Sequence, residues 1–321
     1  MINEGNKLNT AYFISKWVRK SSDIIFMIFR LVLFIGLGFL IIQPLLIKLS
    51  SSFMSVKDVY DTSVFLLPKE PTLFHYSKVW GYINFSARFI NSVLFCAACA
   101  TLQLISCMLP AYGLARFKFK GSGVIMAAVV ATMIVPPQSI MLPLYMTFNR
   151  FSILSVLSMG FIRQGANLIG TPYPLLILSG FAVGFKNGLF IFMLRQYFKN
   201  IPKELEEAAY IDGCGRIRTF AQIILPGATP MLVSVFLFAF VWQWNDYYYT
   251  ISLTPGLNII TTVMPHVGTM ITTAERMWTN YIQLMLYDSA MMILHVAPLV
   301  VLYLFAQKNF ITSIERSGMV G

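Results

Sequence analysis

The amino-acid sequence predicts an all-α, polytopic membrane protein with six transmembrane helices. Of its 321 residues, 57% are hydrophobic and only 12% are charged, whereas soluble domains are about 45–50% apolar and about 25% charged. Six stretches are apolar over roughly the 20 residues that a spanning helix needs. The few charged residues cluster in segments between those stretches. This pattern excludes an ordinary cytosolic enzyme and a disordered chain, and four cysteines are too few for a disulfide-rich module.

The predicted spans follow the apolar runs of the sequence in order. They are Ile24–Leu49, Phe89–Leu114, Gly123–Met146, Pro174–Leu194, Thr229–Ile251 and Ser289–Ala306. The first run is too long for a signal peptide and has no cleavage pattern after it, so it is predicted to be retained. The third contains Pro136-Pro137, which removes two backbone donors and must bend or break the helix. Both a plain packing kink and a helix that lines a pathway fit this feature.

The positive charges predict the orientation. If the N-terminus is cytoplasmic, the inner segments are 1–23, 115–122, 195–228 and 307–321. These segments carry more of the 24 Lys+Arg in less chain than the outer segments do, as cytoplasmic loops usually do. We therefore expect a cytoplasmic N-terminal segment 1–23 and a transmembrane domain 24–321. Both termini are expected on the cytoplasmic side of the cell membrane. Topology and contact with anionic lipid then explain much of the net charge of +11, and no nucleic-acid partner is required.

The inner segment 195–228 predicts a compact helix–turn–helix at the membrane surface. Pro202 suits a first helical turn, and the acids within Glu204–Glu207 lie near the positive end of that helix. Ala208-Ala209 keeps one surface smooth, and Gly213 offers a chain reversal. A smooth surface ringed by acids suits docking against another protein. A mere connecting loop would not need two capped helices.

A second candidate site lies near the end of the fifth span, at Trp244, Asn245 and Asp246. Carboxylates inside membranes are rare and usually face a cavity. Aromatic faces stack on sugars, while Asn and Asp bind hydroxyl groups, so these residues are predicted to belong to a translocation pathway. The alternatives are a structural role and an aromatic belt at the membrane interface.

Motifs for catalysis and for metals are incomplete in this sequence. Gly165–Thr171 mimics a phosphate-binding loop but lacks its lysine. Cys96 and Cys99 have Cys-x-x-Cys spacing without a second pair or a nearby histidine. The three histidines are scattered along the chain. We therefore predict no catalytic residue, no metal and no cofactor on this chain.

One motif carries a resemblance to a known family. Glu207-Ala208-Ala209, Gly213 and Ile223-x-Leu225-Pro226 match the EAA signature, EAA-x3-G-x9-I-x-L-P. In this motif the chain resembles the permease subunits of bacterial ABC importers. Over about residues 24–321 it resembles the second membrane subunit of the maltose-type, carbohydrate-uptake branch. The supporting stretches are Phe89–Ser92, Ala111–Phe117, Pro136–Gln138, Pro143–Tyr145, Leu194–Phe198, Trp244–Asp246 and Gln307–Gly321.

The resemblance implies the type I ABC importer permease fold and a set of partners. These are a second, homologous permease, a cytoplasmic ATPase dimer that binds and hydrolyses ATP, an extracytoplasmic solute-binding protein and a sugar. The loop at about 195–228 would be the coupling helix, with Glu207 contacting the ATPase and Gly213 allowing the turn. The other residues implied for this coupling are Ala208, Ala209, Asp212, Leu225 and Pro226. The alternatives are an ABC importer for another small solute, an ion-coupled secondary transporter and an intramembrane enzyme.

Two stretches depart from the family pattern. Tyr287-Asp288 stands where relatives commonly carry small or apolar residues, and the Gly-rich stretch Gly165–Gly184 is atypical. Both concern the outer half of the expected pathway.

Overall fold

A computed structural model describes residues 4–152, 165–184, 186–276 and 281–318, with side chains over residues 23–307 of these ranges. Within them the regular secondary structure is helical, apart from one isolated antiparallel bridge between Phe151 and Ala166, and turns and loops join the helices. The expected all-α fold class is confirmed.

The helices are numbered in chain order. They are α1 (Glu4–Phe53), α2 (Val56–Tyr60), α3 (Phe74–Tyr82), α4 (Phe85–Arg116), α5 (Ser122–Thr132), α6 (Pro137–Asn149), α7 (Tyr173–Gly180), α8 (Asn187–Asn200), α9 (Glu204–Ile211), α10 (Arg216–Gly227), α11 (Thr229–Asn245), α12 (Tyr248–Leu253), α13 (Ile260–Val263), α14 (Val267–Ala274) and α15 (Tyr281–Gly318). A π-helical turn, Phe220–Ile224, lies within α10.

Residues 1–75 form one compact unit, built on α1. The part of α1 at Asp23–Phe53 is long and apolar enough to cross a membrane, and it contains the predicted first span. From Glu4 onward the predicted N-terminal segment is continuous with this helix. A capping box starts α2, in which Ser55 and Asp58 each accept a hydrogen bond from the other's backbone N–H.

Residues 76–321 form the second unit. One of its apolar clusters joins α4, α8 and α11, with Phe190 and Phe198 fully buried at its centre. A second cluster joins α4, α11 and α15 around Trp244, Tyr287 and Met291. These clusters hold the long helices in place, and the segment between α8 and α11 emerges from the first of them.

Three helical stretches are each long and apolar enough to span a membrane, namely Asp23–Phe53, Phe85–Arg116 and Tyr281–Gln307. Two bent pairs bring the number to as many as five within the described residues. One pair is α5 with α6, and the other is α10 with α11, which meet at 77°. The expected six spans are consistent with this architecture.

The predicted bend at Pro136-Pro137 is confirmed. Helix α5 ends at Thr132, and α6 begins at Pro137 with its axis turned by 96°. Pro136 has extended backbone, φ −69° and ψ 137°, because the ring of a following proline disfavours the helical conformation.

The predicted fourth span, Pro174–Leu194, is corrected by the structure, because it divides into the short helices α7 and α8. Between them Ala182 and Lys186 have φ values of 55° and 68°. L-residues enter this left-handed region at a steric cost and do not continue a right-handed helix through it. The predicted fifth span also ends early, at Asn245 instead of Ile251.

Candidate functional site

The inner loop, residues 195–228, is a pair of short helices with a defined turn. Helix α9 has three acids in its first turn, where they stabilise the positive end of the helix. Asp212 is its last cap residue, and Gly213 follows with φ 79°. The N–H of Gly213 donates to Tyr210 O at 3.1 Å and that of Cys214 to Ala209 O at 2.9 Å. These two bonds form a Schellman motif, so the predicted reversal at Gly213 is present.

Glu206 anchors this loop to the spanning helix α4. Its carboxylate forms a buried ion pair with Arg116, with 3.0 Å between Oε1 and Nε, and the two side chains are 11% and 4% exposed. The Tyr112 hydroxyl donates to the same Oε1 at 3.3 Å. The Arg116 guanidinium also donates to Ile201 O at 2.7 Å, just before α9. A salt bridge and two hydrogen bonds therefore connect Ile201 and Glu206, in the first part of the loop, to the C-terminal end of α4.

Aromatic packing reinforces this joint. The Tyr112 ring lies 4.4 Å from the Phe220 ring, 5.7 Å from Phe198 and 5.9 Å from Phe117, centroid to centroid. These rings come from α4, the residue after it, α8 and α10. Such pairs contribute about 0.5–1.5 kcal/mol each beyond their buried area. A displacement of α9 or α10 is thus opposed unless α4 moves with it.

The rest of the loop surface is exposed and carries both apolar and charged side chains. Ile211 and Ile217 are each 86% exposed, and Leu205 is half exposed. The acids Glu204 and Glu207 are exposed near them. Large apolar side chains that project this far from a short loop are typical of a protein-binding surface. We call the exposed side chains of Leu205, Glu207, Tyr210, Ile211 and Ile217 the docking face.

The residues of the EAA motif divide between the two faces. Glu207 and Ala208 are exposed, whereas Ala209 is buried. Leu225 is half-buried and Pro226 exposed, and both lie at the end of α10, before the 77° bend into α11. The sequence predicted that Glu206 stabilises the start of its helix and that Arg116 belongs to the positive charge of an inner segment, but it did not predict that the two residues pair. Their distance along the chain gives no local pattern that would reveal the pair.

The residues of the second candidate site, at the end of α11, mainly form hydrogen bonds within the protein. Trp244 is 1% exposed, and its Nε1 donates to His295 O on α15 at 3.2 Å. Asn245 is exposed and donates to Val241 O of its own helix at 2.8 Å. Asp246 accepts from the Tyr249 and Thr250 backbone N–H groups and so begins α12. Asp246 also lines a small cavity of about 30 Å³ together with Trp242 and Gln243.

The two unusual residues at the start of α15 are held by a polar network. Tyr287 donates to Glu275 Oε2 at 3.3 Å and accepts from Gln283 at 3.0 Å, and Glu275 pairs with Lys78 at 2.7 Å. The hydrogen bond from Lys78 to Glu275 raises the pKa of that ammonium above its ordinary value. Asp288 accepts from the N–H of Gly268 at 2.8 Å, at the start of α14. These polar side chains are therefore partnered inside the fold.

No cluster of three or more His, Cys, Asp or Glu side chains suited to a metal is found in the described part of the chain. Cys96, Cys99 and Cys107 are buried free thiols and Cys214 is half-buried.

Residues 107–316 match the family model of the binding-protein-dependent transport system inner membrane component. The chain belongs to this family. It is 30% identical to the probable starch degradation products transport system permease protein AmyC of Thermoanaerobacterium thermosulfurigenes, over 88% of this chain and 94% of that one. It is 28% identical to the melibiose/raffinose/stachyose import permease protein MelC of Bacillus subtilis, over 87% of this chain and 91% of that one.

A solved structure of a bacterial ABC transporter involved in the import of the acidic polysaccharide alginate has the same fold. Its matching chain aligns with a TM-score of 0.70 at 22% identity, over 89% of this chain and 97% of that one. The chain is accordingly a multi-pass membrane permease of a binding-protein-dependent transport system. Its family is one of transport permeases.

Proposed function

We propose that this chain is one of two permease subunits of an ATP-driven importer of sugars or oligosaccharides. The names of its relatives, for starch degradation products and for melibiose, raffinose and stachyose, support a carbohydrate as the substrate. The family description, a binding-protein-dependent system, supports delivery by an extracytoplasmic solute-binding protein. A second, homologous permease completes the pathway, and both termini lie in the cytoplasm.

The observation that carries this proposal is the inner loop with its two faces. One face is anchored to α4 by the buried Glu206–Arg116 pair, and the docking face is open. A cytoplasmic ATPase dimer binds the docking face. ATP is bound and hydrolysed by that partner, and this chain holds no cofactor.

The geometry indicates how a movement of the ATPase reaches the membrane. When the dimer closes on ATP it displaces α9, and the ion pair and the Tyr112 ring cluster carry the displacement to α4. The spanning helices then move as rigid bodies between an inward-open and an outward-open arrangement. ATP shifts the population because the ATPase prefers one of the two arrangements.

Replacement of Ile211 by glutamate is expected to abolish recruitment of the ATPase. Burial of an isoleucine is worth about 1.5–3 kcal/mol, so the loss of its apolar contact alone weakens binding by more than about tenfold. The added carboxylate also has to be desolvated at the interface. The measurement is co-purification of the ATPase with tagged permease, together with ATP-dependent uptake in proteoliposomes.

The matched control is Leu67→Glu, because Leu67 is 84% exposed but lies in the outer segment. This control should keep the ATPase and the uptake. Normal ATPase recruitment by Ile211→Glu would show that the docking face lies elsewhere. ATP-independent uptake by the permease pair alone would refute the proposed function itself.

A further inference from the structure

A cavity of about 500 Å³ lies where two helix breaks meet. One wall is the Pro136-Pro137 break between α5 and α6, and the other is the 181–186 break between α7 and α8. Its volume is in the range of ligand pockets, roughly 300–1,000 Å³. Broken backbone at membrane depth is tolerated only where it faces protein or a water-filled space. We therefore expect this cavity to face protein or water and not lipid.

The position of Gln103 fixes the depth of the cavity. Gln103 lies near the middle of the 32-residue helix α4 and donates a hydrogen bond to Asn187 Oδ1, whose side chain lines the cavity. Both side chains are buried, with exposures of 7% and 2%. Polar side chains at mid-membrane are costly and are typical of substrate paths.

Two side-chain amide groups there lack a protein partner. Asn187 Nδ2 is buried, has no hydrogen-bond partner among the described residues, and lies 3.4 Å from the position of a Cβ at Gly184. Gln243 Nε2 is also buried without a hydrogen-bond partner among the described residues, and Gln243 lines an adjoining cavity of about 30 Å³. The two cavities share Gly184 and Tyr249 as lining residues. A buried donor without a partner is unfavourable, which indicates that both amides meet a polar molecule.

Charges of both signs accompany these amides. The Asp246 carboxylate lines the smaller cavity, and Lys186 lines the larger one with its Nζ 5.1 Å from the Trp242 ring centroid. The carboxylate would repel an anionic ligand, and the ammonium would repel a cationic one. A molecule with many hydroxyl groups both donates and accepts, so it fits carboxamides, a carboxylate and an ammonium together.

The back wall of the cavity is rigid. A Cβ placed on Gly188 would lie 2.6 Å from Thr132 Oγ1 and 2.7 Å from Val129 O, so α8 and α5 are in backbone contact there. Only glycine permits this approach. This close contact positions the backbone of Asn187, one residue away, and Gln103 donates a hydrogen bond to its side chain.

We propose that this cavity is a saccharide subsite. Asn187 donates hydrogen bonds to sugar hydroxyl groups in it, and Gln243 donates to the single hydroxyl group that the adjoining cavity of about 30 Å³ can hold. This inference rests on the proposed function and adds that this chain, and not its partner permease alone, contacts the sugar during passage.

The test uses the complete importer, with its partner permease, ATPase and binding protein, in proteoliposomes. The probes are radiolabelled maltotriose and raffinose, and the variants are Gln243→Met, Asn187→Ala and the conservative Gln243→Asn. We expect Gln243→Met and Asn187→Ala each to lower uptake on the order of tenfold. Stimulation of the ATPase by sugar-loaded binding protein should be unchanged, and Gln243→Asn should retain more uptake than Gln243→Met.

Thr101→Val is the control, because Thr101 donates to Ala97 O of its own helix and lines neither cavity. Persistent ATPase stimulation separates lost sugar contact from lost folding. Uptake by both amide variants equal to that of the parent would overturn the subsite and leave the proposed function intact. Absence of ATP-dependent uptake of either sugar by the parent importer would overturn the proposed sugar transport, and the subsite with it.

Discussion

Glu206→Ala is expected to lower the stability of the folded chain by about 3–5 kcal/mol, because it leaves a buried guanidinium without its carboxylate. Arg116 is only 4% exposed at its side chain, so water cannot replace the lost partner there. The Tyr112 hydroxyl loses its acceptor in the same change. Among single changes in the inner loop, this one should have the largest effect.

The native cysteines provide the measurement. In a Cys214→Ser background, the remaining thiols Cys96, Cys99 and Cys107 are all buried, so a thiol-reactive fluorophore reports unfolding on heating. The control is Glu207→Ala, one residue away and exposed, which should change stability by less than about 0.5 kcal/mol. If the two variants unfolded at the same temperature, the assigned anchor would be wrong.

A double variant separates charge from shape at this joint. Replacing Arg116 by Met and Glu206 by Leu removes both charges together, and exchanges of this kind are often neutral or stabilising. We expect the pair of substitutions to recover most of the stability that Glu206→Ala loses. If stability is recovered and uptake per ATP hydrolysed is still low, the polar joint itself transmits the movement of α9. If uptake is also recovered, packing alone suffices.

The sequence predicted two local backbone features well, one in the inner loop and one between α5 and α6. The reversal at Gly213 follows from a residue that adopts positive φ at little cost, and the break at Pro136-Pro137 follows from two missing N–H groups. Both depend on residues next to each other in the chain. Neighbouring residues do not determine whether Glu206 or Glu207 contacts α4, because that depends on which side of the two-turn helix α9 faces α4. Glu206 and Ala209 share the buried side of α9, and Glu207 lies on the exposed side.

The break between α7 and α8 was beyond sequence reasoning for a different reason. The run Pro174–Leu194 is apolar and long enough to span, and its glycines fit close helix packing as well as a break. The left-handed residues are Ala182 and Lys186, neither of which favours that conformation alone. Tertiary packing therefore imposes the break. The cavity and the Asn187 amide, which lie at this break, were unpredictable for the same reason.

Trp244→Ala is the second change with a large expected effect, a loss of about 3–5 kcal/mol. The indole is packed on three sides, with ring centroids 5.6 Å from His295, 5.9 Å from Phe240 and 6.1 Å from Phe89. It therefore joins α4, α11 and α15. The same thiol assay should record a markedly lower unfolding temperature.

Trp244→Phe then decides between a packing role and the predicted pathway role of this residue. Phenylalanine keeps an aromatic ring but loses the hydrogen bond to His295 O, worth about 0.5–1.5 kcal/mol. If Trp244 serves packing, this variant loses a small part of the stability, and uptake by each assembled importer is unchanged. If the indole touches the sugar, uptake falls while the unfolding temperature barely moves. Because the side chain is 1% exposed and its Nε1–H is already bonded to protein, we expect the first result.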